Sequence, residues 1–353
     1  MNLNKSIWAS RIDHRVRWVM QNICPPAISV AGGYHSGNLG DMALAYSAKG
    51  QIAKRIQASG PIGIQTIYNL PNWPRANKVV VGGGALLCSR QIKNLRTYTK
   101  DQPKNVGIIG CDVLIEDLDE EDVNFLKNVS FLSFRSKLNL EIVKHKYFIH
   151  NARRAPDLVF ARDESIFTLE KNFPAPKKTL AVNITPGLGL DRSVRETEYK
   201  RLYSSYIRWV RGVITEYLQA GYSVESIPFT HGDEKVASEN LSDLPIKHNS
   251  YTHKVGVVLA RIERCEIFLC TRYHALIFGC LLEKRIIPFC YARKNYALFE
   301  EYLHLPGNGF RELEKSSEPA RAALVLAPGV LAELQALVEQ EFDDLYKALF
   351  AEP

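Results

Sequence analysis

The stretch Cys270–Tyr291, CTRYHALIFGCLLEKRIIPFCY, leaves this chain few folds to choose from. From Ala275 to Leu282 nearly every side chain is apolar, so a helix here is buried on most of its surface and not along one stripe. Ile286–Cys290 is a short apolar run of the kind found in an inner parallel strand. A helix buried all round, followed at once by such a strand, belongs in an α/β layer structure. The hydroxyl of Thr271 is placed to cap the helix. Arg272 and His274 stand at its mouth. The free amides and partial positive charge of a helix N-terminus suit a phosphate or carboxylate. Arg272 would add a bidentate fork for the same anion, and His274 can exchange a proton near neutral pH. The plainer alternative is that Arg272 ties down a neighbouring loop and His274 is a core histidine.

The rest of the chain repeats the strand–loop–helix pattern. Residues 27–31 form a strand, followed by the polar turn GGYHSGNLGD and a helix from Asp41. The loop has neither a GK[ST] phosphate loop nor GxGxxG spacing. Asp41, at the helix start, is read as an N-cap or as a carboxylate that accepts a proton from a hydroxyl. His35 and Asn38 lie on the same loop and can hydrogen-bond sugar hydroxyls. Residues 61–70 suggest another strand, and KVVVGGGALL (78–87) a buried strand ending in Gly82, Gly83 and Gly84. Glycines at the carboxyl end of a strand are where open α/β sheets bind ligands, although a tight turn explains them as well. Arg135 ends a strand within SFLSFRSKLNLEIV, where it would hold an anion or pair with Asp157. The segment KNFPAPKKTL (171–180) reads as a linker. Beyond it the pattern restarts with LAVNIT, a long helix over 196–220, SVESIPFT, the charged turn holding His231, Asp233 and Glu234, and GVVLARIERCEIFLC.

The expected organisation has four parts. Residues 1–26 form a basic amphipathic helix, 27–175 an N-terminal α/β domain and 176–330 a C-terminal α/β domain. Residues 331–353 form a helix that packs back across the domains. The expected fold class is therefore α/β, with two Rossmann-like doubly wound domains facing a cleft that holds the ligand.

Composition narrows the function classes. With 46% hydrophobic and 24% charged residues in 353, the chain is globular and long enough for two cores. No apolar run approaches the roughly 20 residues of a membrane helix, and charges interrupt any leader-like core near the start. Seven cysteines without a CxxC pair, mostly in apolar segments, read as reduced thiols of a cytoplasmic protein and not as metal ligands. The net charge of +7 favours anionic partners, but no basic block with interleaved aromatics points to nucleic acid. In residues 7–24, Trp8, Ile12, Val16, Val19 and Ile23 recur at helical spacing, with Arg11, Arg15 and Arg17 off the stripe. Packing on the protein body is favoured for this helix over contact with an anionic membrane face, because one Trp anchors weakly.

GNLGD (37–41), GGG (82–84), FRSKLNLEIV (134–143), PDLVF (156–160), AVNIT (181–185) and TRYHALIFG…PFCYARK (271–294) occur in this order. Together they make the chain resemble the polysaccharide pyruvyl transferases, whose motifs run N-x-G-D, GGG, R-D-x-x-S, P-D, then R-x-H and Y-x-x-K. It departs from that pattern at Ser136, where Asp is usual, and at Asn139, where Ser is usual. The resemblance implies a glycosyltransferase-B-like fold and transfer of a pyruvyl group from phosphoenolpyruvate to a sugar of a cell-surface glycan or its precursor, as in exopolysaccharide or capsule synthesis. It implies no metal, no nucleotide and no cofactor. It casts His274 as general acid and Asp41 as general base. Arg272, Arg135, Asn38, His35, Gly82, Gly83, Gly84, Tyr273 and Lys294 become substrate contacts. The acceptor saccharide, in polymer or lipid-linked form, stays open, and the basic N-terminal helix hints at a lipid-linked one at the inner membrane face. Two other readings remain: a glycosyltransferase of the same fold that uses a nucleotide-sugar, and a non-enzymatic glycan-binding protein.

Overall fold

The computed structural model describes residue 16 and residues 19–34, 37–56, 61–113, 118–161, 178–187, 196–315 and 317–351. Contacts divide these into two units, one taking in residues up to 166 and from 332 onward, the other residues 167–331.

The first unit is built on a six-stranded sheet of β1 (Ile28–Gly32), β2 (Ile62–Thr66), β3 (Lys78–Leu87), β4 (Val106–Val113), β5 (Phe131–Phe134) and β6 (Arg153–Arg154). The order is β2-β1-β3-β4-β5-β6, and every pairing is parallel. Strands β1 and β4 are buried at each position, which is why they read as continuous apolar runs and not as alternating ones. The crossovers include helices α1 (Leu39–Arg55), α2 (Ser89–Thr99), α3 (Glu120–Asn128) and α4 (Lys137–His145). The order reverses at β1/β3, the place where sheets of this type bind ligands beyond the strand ends.

The second unit has five parallel strands, β7 (Thr179–Asn183), β8 (Ser223–Ser226), β9 (Lys247–His248), β10 (Ile267–Cys270) and β11 (Arg285–Pro288), in the order β11-β10-β7-β8-β9. Its helices include α5 (Glu196–Gln219), α6 (His231–Leu241), α7 (Val255–Glu263), α8 (Tyr273–Leu281), α9 (Arg293–Ala297) and α10 (Phe310–Glu314). Here the switch point lies between β7 and β10. All nine residues of α8 are buried, as its unbroken apolar run requires. The chain is thus α/β, with two Rossmann-like doubly wound domains, as expected from the sequence.

Helix α11 (Val330–Phe350) closes the first unit. Its Glu339 pairs with Lys54 at 3.2 Å and Arg55 at 2.6 Å, and Leu345 fills the space beside Gly107.

Several local expectations are corrected. The strand expected over 61–70 stops at Thr66 and continues as a 3-10 turn to Asn72. Strand β3 does not end at its glycines but runs through them to Leu87. Gly83 and Gly84 adopt φ of +69° and +89°, where a side chain is strained. A Cβ on Gly83 would lie 2.4 Å from the Leu44 side chain, so this glycine admits α1 against the sheet. Of the expected N-terminal helix, residues 16 and 19–23 are helical and 24–26 are not; the remaining residues, including Trp8 and Ile12, lie outside the described ones. So do residues 171–177 of the expected linker.

Candidate active site

The C-terminal switch point is assembled by buried polar groups. Asn183, at the end of β7, accepts from the Arg272 backbone N–H at 3.0 Å and donates to the Ile227 carbonyl at 3.0 Å. One fully buried amide thereby ties the ends of β7, β8 and β10. The Thr271 hydroxyl lies 3.0 Å from the Tyr206 hydroxyl, which accepts from the Thr185 N–H at 3.2 Å. Asn295 donates to the Thr271 carbonyl at 3.0 Å. Thr271 is therefore used as a strut and does not cap α8. The N-cap position belongs to Arg272, whose side chain makes no capping bond to α8. The N-terminus of a helix buried in this way is electrostatically suited to an anion.

The Arg272 side chain turns toward α6. Nε and Nη2 donate to the Asp233 carboxylate at 2.7 and 2.6 Å, and Nη2 also donates to the Thr230 hydroxyl at 3.0 Å. Nη1 donates to no protein atom among the described residues. The bidentate fork expected for a ligand is thus taken by a carboxylate, and Nη1 is the nitrogen left for an incoming anion. Burial works against the Arg272 charge, but Asp233's hydrogen bonds and charge more than offset it and hold the guanidinium protonated.

Tyr273 and His274 follow on the first turn of α8, their rings 5.3 Å apart and nearly perpendicular. His274 is 9% exposed, at the edge of the buried core. Lys294, on the short helix α9, places its Nζ 5.5 Å from the Tyr273 ring centroid and 5.9 Å from that of Tyr291, in cation–π range. Four expected residues, Arg272, Tyr273, His274 and Lys294, are therefore neighbours in the second unit.

Asn38, Asp41 and Gly82–Gly84 belong to the first unit. Asn38, not Asp41, is the N-cap of α1; its Oδ1 accepts from the Gly40 N–H at 3.0 Å. Asp41 sits in the first turn, where a carboxylate favours the helix dipole. Burial raises the titration of Tyr34 and Tyr68, and the Asp41 charge adds to both shifts. Tyr34 donates to the Gly82 carbonyl at 2.7 Å. The three glycines thus lie against the protein's own Tyr34, Leu44 and Leu86. His35 lies outside the described residues.

Arg135, offered as an anion contact or a partner of Asp157, is engaged by carboxylates of its own unit. Its Nη1 donates to Asp157 at 2.6 Å, and Nε and Nη2 donate to Asp112 at 3.1 and 2.9 Å, with the side chain 5% exposed. The pairing with Asp157 offered by the sequence is the one formed, and Asp112 joins it unforeseen. Ser136, where the family pattern has Asp, caps α4 and donates its backbone N–H to Asp112 at 3.1 Å. Asp112 thus provides a carboxylate beside the arginine. Among the described residues no cluster of His, Cys, Asp or Glu has the arrangement of a metal site. Burial raises the thiols of Cys111, Cys280 and Cys290 to about 12, so they are not nucleophiles.

The sequence model of the polysaccharide pyruvyl transferase family matches residues 38–292, from the α1 N-cap to just past the second switch point. The chain belongs to this family. As a pyruvyl transferase it is a transferase of polysaccharide biosynthesis, and the family implies a saccharide acceptor and a pyruvyl donor. A search of curated proteins returned no match. Among solved structures, the chain is similar to S. aureus MnaA bound to UDP, with 12% identity, 87% of this chain and 93% of that one covered, and a TM-score of 0.51. It is also similar to the Methanocaldococcus jannaschii UDP-GlcNAc 2-epimerase in complex with UDP-GlcNAc and UDP, with 10% identity, 88% and 98% covered, and a TM-score of 0.47. The first of these supports a glycosyltransferase-B-like fold for the transferase.

Proposed function

We propose that the chain moves a pyruvyl group from phosphoenolpyruvate to a pair of hydroxyls on a saccharide, giving a pyruvate ketal and inorganic phosphate. The observation that carries this reading is the grouping of Arg272 Nη1, His274 and Lys294 at the N-terminus of α8, at a strand-order switch. Phosphoenolpyruvate carries a phosphate and a carboxylate, and this site offers helix amides, a guanidinium nitrogen and an ammonium to them. His274 delivers a proton to the methylene carbon, which becomes the methyl group, and the neighbouring carbon becomes electrophilic. A sugar hydroxyl adds to that carbon and loses its proton to Asp41. Phosphate leaves, taking up the proton held by Asp41, and the second hydroxyl closes the ketal, its proton restoring His274. Asn38, with His35, is assigned to the acceptor.

The acceptor is assigned as a lipid-linked precursor of a cell-surface glycan, worked on in the cytoplasm at the inner membrane face. Val16, Val19, Met20 and Ile23 are 48–75% exposed, although packing of this stripe on the protein body was the favoured expectation. Gln21, from another face of the helix, donates to the Ile64 carbonyl at 3.3 Å. Among the described residues no helix is long and apolar enough to cross a membrane, so contact would be peripheral.

Calorimetry tests the donor. Phosphoenolpyruvate should bind the wild type in the micromolar range, alone or with a sugar panel present, and should not bind folded Arg272→Ala. Binding of a UDP-sugar but not of phosphoenolpyruvate would overturn the reading in favour of a glycosyltransferase.

A further inference from the structure

Asp233 is 1% exposed and lies on the first turn of α6, far in sequence from the arginine it holds. Its carboxylate collects donors of three kinds, backbone N–H, hydroxyl and guanidinium. Oδ2 accepts from the Phe229 N–H at 2.9 Å and the Thr230 N–H at 3.2 Å; Oδ1 accepts from the Thr230 hydroxyl at 3.0 Å; and Arg272 bridges both oxygens. A capping box of this kind needs only Thr230 and the N3 carboxylate. The link to Arg272 is additional. It joins the N-terminus of α6 to that of α8, and it fixes Nε and Nη2 while leaving Nη1 without a protein acceptor among the described residues.

We propose that Asp233 is a positioning residue for the donor anion: it locks Arg272 in one rotamer so that Nη1 is presented, already ordered, at the start of α8. The proposal rests on the pyruvyl-donor reading above. An arginine loses up to about 2 kcal/mol of side-chain freedom when it is fixed, equivalent to roughly 30-fold in affinity. With Asp233 in place this ordering precedes ligand binding. A competing role has the opposite sign. If Asp233 only offset the positive charge, its removal would strengthen anion binding.

The experiment is a double-mutant cycle read by phosphoenolpyruvate calorimetry on the full chain: wild type, Asp233→Asn, Arg272→Lys and the double variant. Asp233→Asn should weaken binding about 10- to 30-fold in the arginine background and by less than threefold in the lysine background, because Asp233 acts only through the guanidinium. Equal losses in both backgrounds, or tighter binding by Asp233→Asn, would overturn the proposal. Asp233→Ser, which keeps an oxygen acceptor near the α6 cap, replaces Asp233→Asn if that variant fails to fold. A donor-independent readout separates this proposal from the functional reading. The Arg272 Nε–H should exchange slowly with solvent in the free wild type and rapidly in the Asp233 variant. Rapid exchange in the wild type sinks the positioning role even if phosphoenolpyruvate binds. Slow exchange without phosphoenolpyruvate binding sinks the donor reading alone.

Discussion

Replacing Arg135 by methionine separates two roles that the sequence left open for it. The guanidinium is 5% exposed and makes its charged contacts with Asp112 and Asp157, themselves 9% and 0% exposed. Methionine fills much of the volume but strands two buried carboxylates. Breaking one side of a buried ion pair costs about 3–5 kcal/mol. Two partners are stranded here, but each keeps a backbone donor, Ser136 N–H at 3.1 Å for Asp112 and Val159 N–H at 3.0 Å for Asp157. The middle of the range, about 4 kcal/mol, is therefore expected. For a unit of this size that lowers Tm by roughly 8–16 °C. Scanning calorimetry measures it, with phosphoenolpyruvate titration of the folded variant alongside. The triple variant Asp112→Asn/Arg135→Met/Asp157→Asn should recover most of the loss, because it removes the charges together. A single variant within about 1 kcal/mol of wild type that no longer binds phosphoenolpyruvate would refute the structural role and return Arg135 to the anion site.

Three further outcomes are expected. His274→Gln should lower kcat by about 10²- to 10⁴-fold with the Tm unchanged and phosphoenolpyruvate affinity within a few-fold, as measured by phosphate release; unchanged kcat would remove it as the acid. Burial raises the Glu341 carboxyl above the ordinary glutamate range, against the pull of Arg153. The folded state then holds a proton that the unfolded chain releases, so this group's contribution is full below the ordinary glutamate value and is lost as pH rises through the raised one. Glu341→Gln should therefore gain on wild type in thermal melts as pH increases from 4 to 7, and a constant gap would contradict the assignment. Val19→Asp/Ile23→Asp should abolish co-sedimentation with phosphatidylglycerol vesicles while leaving phosphoenolpyruvate binding intact; wild type that stays in the supernatant would end the membrane assignment.

The layer structure was legible because parallel strands covered on both faces must be largely apolar, and β1, β4 and β10 are, apart from Ser29 in β1 and Asp112 near the end of β4. Two-residue strands such as β6 and β9 carry no such pattern and could not be read. The cluster at α8 was legible because Arg272, Tyr273 and His274 are consecutive. Its supports were not. Asn183 and Asp233 stand 89 and 39 residues before Arg272, and only the fold brings them to it. One signal did exist: Thr230 and Asp233 have capping-box spacing, which marks the start of α6 but not the use of the second carboxylate oxygen. Glycines carry two meanings for a related reason. A run such as Gly82–Gly84 announces that something approaches the backbone closely, and here the approaching atoms are Tyr34 and Leu44 of the same chain.

The two arginines show where sequence and geometry part. Each follows a parallel strand, each reads as a fork for an anion, and each is held by aspartate. Around Arg135 two carboxylates engage all three guanidinium nitrogens, so an arriving phosphate would have to displace a buried ion pair. Around Arg272 a single carboxylate takes Nε and Nη2, and Nη1 has no acceptor among the described residues. The number of carboxylates within reach, set by β4 and the Pro156–Asp157 turn in one unit and by α6 alone in the other, makes the first arginine a brace. It leaves the second with one nitrogen open to the proposed donor.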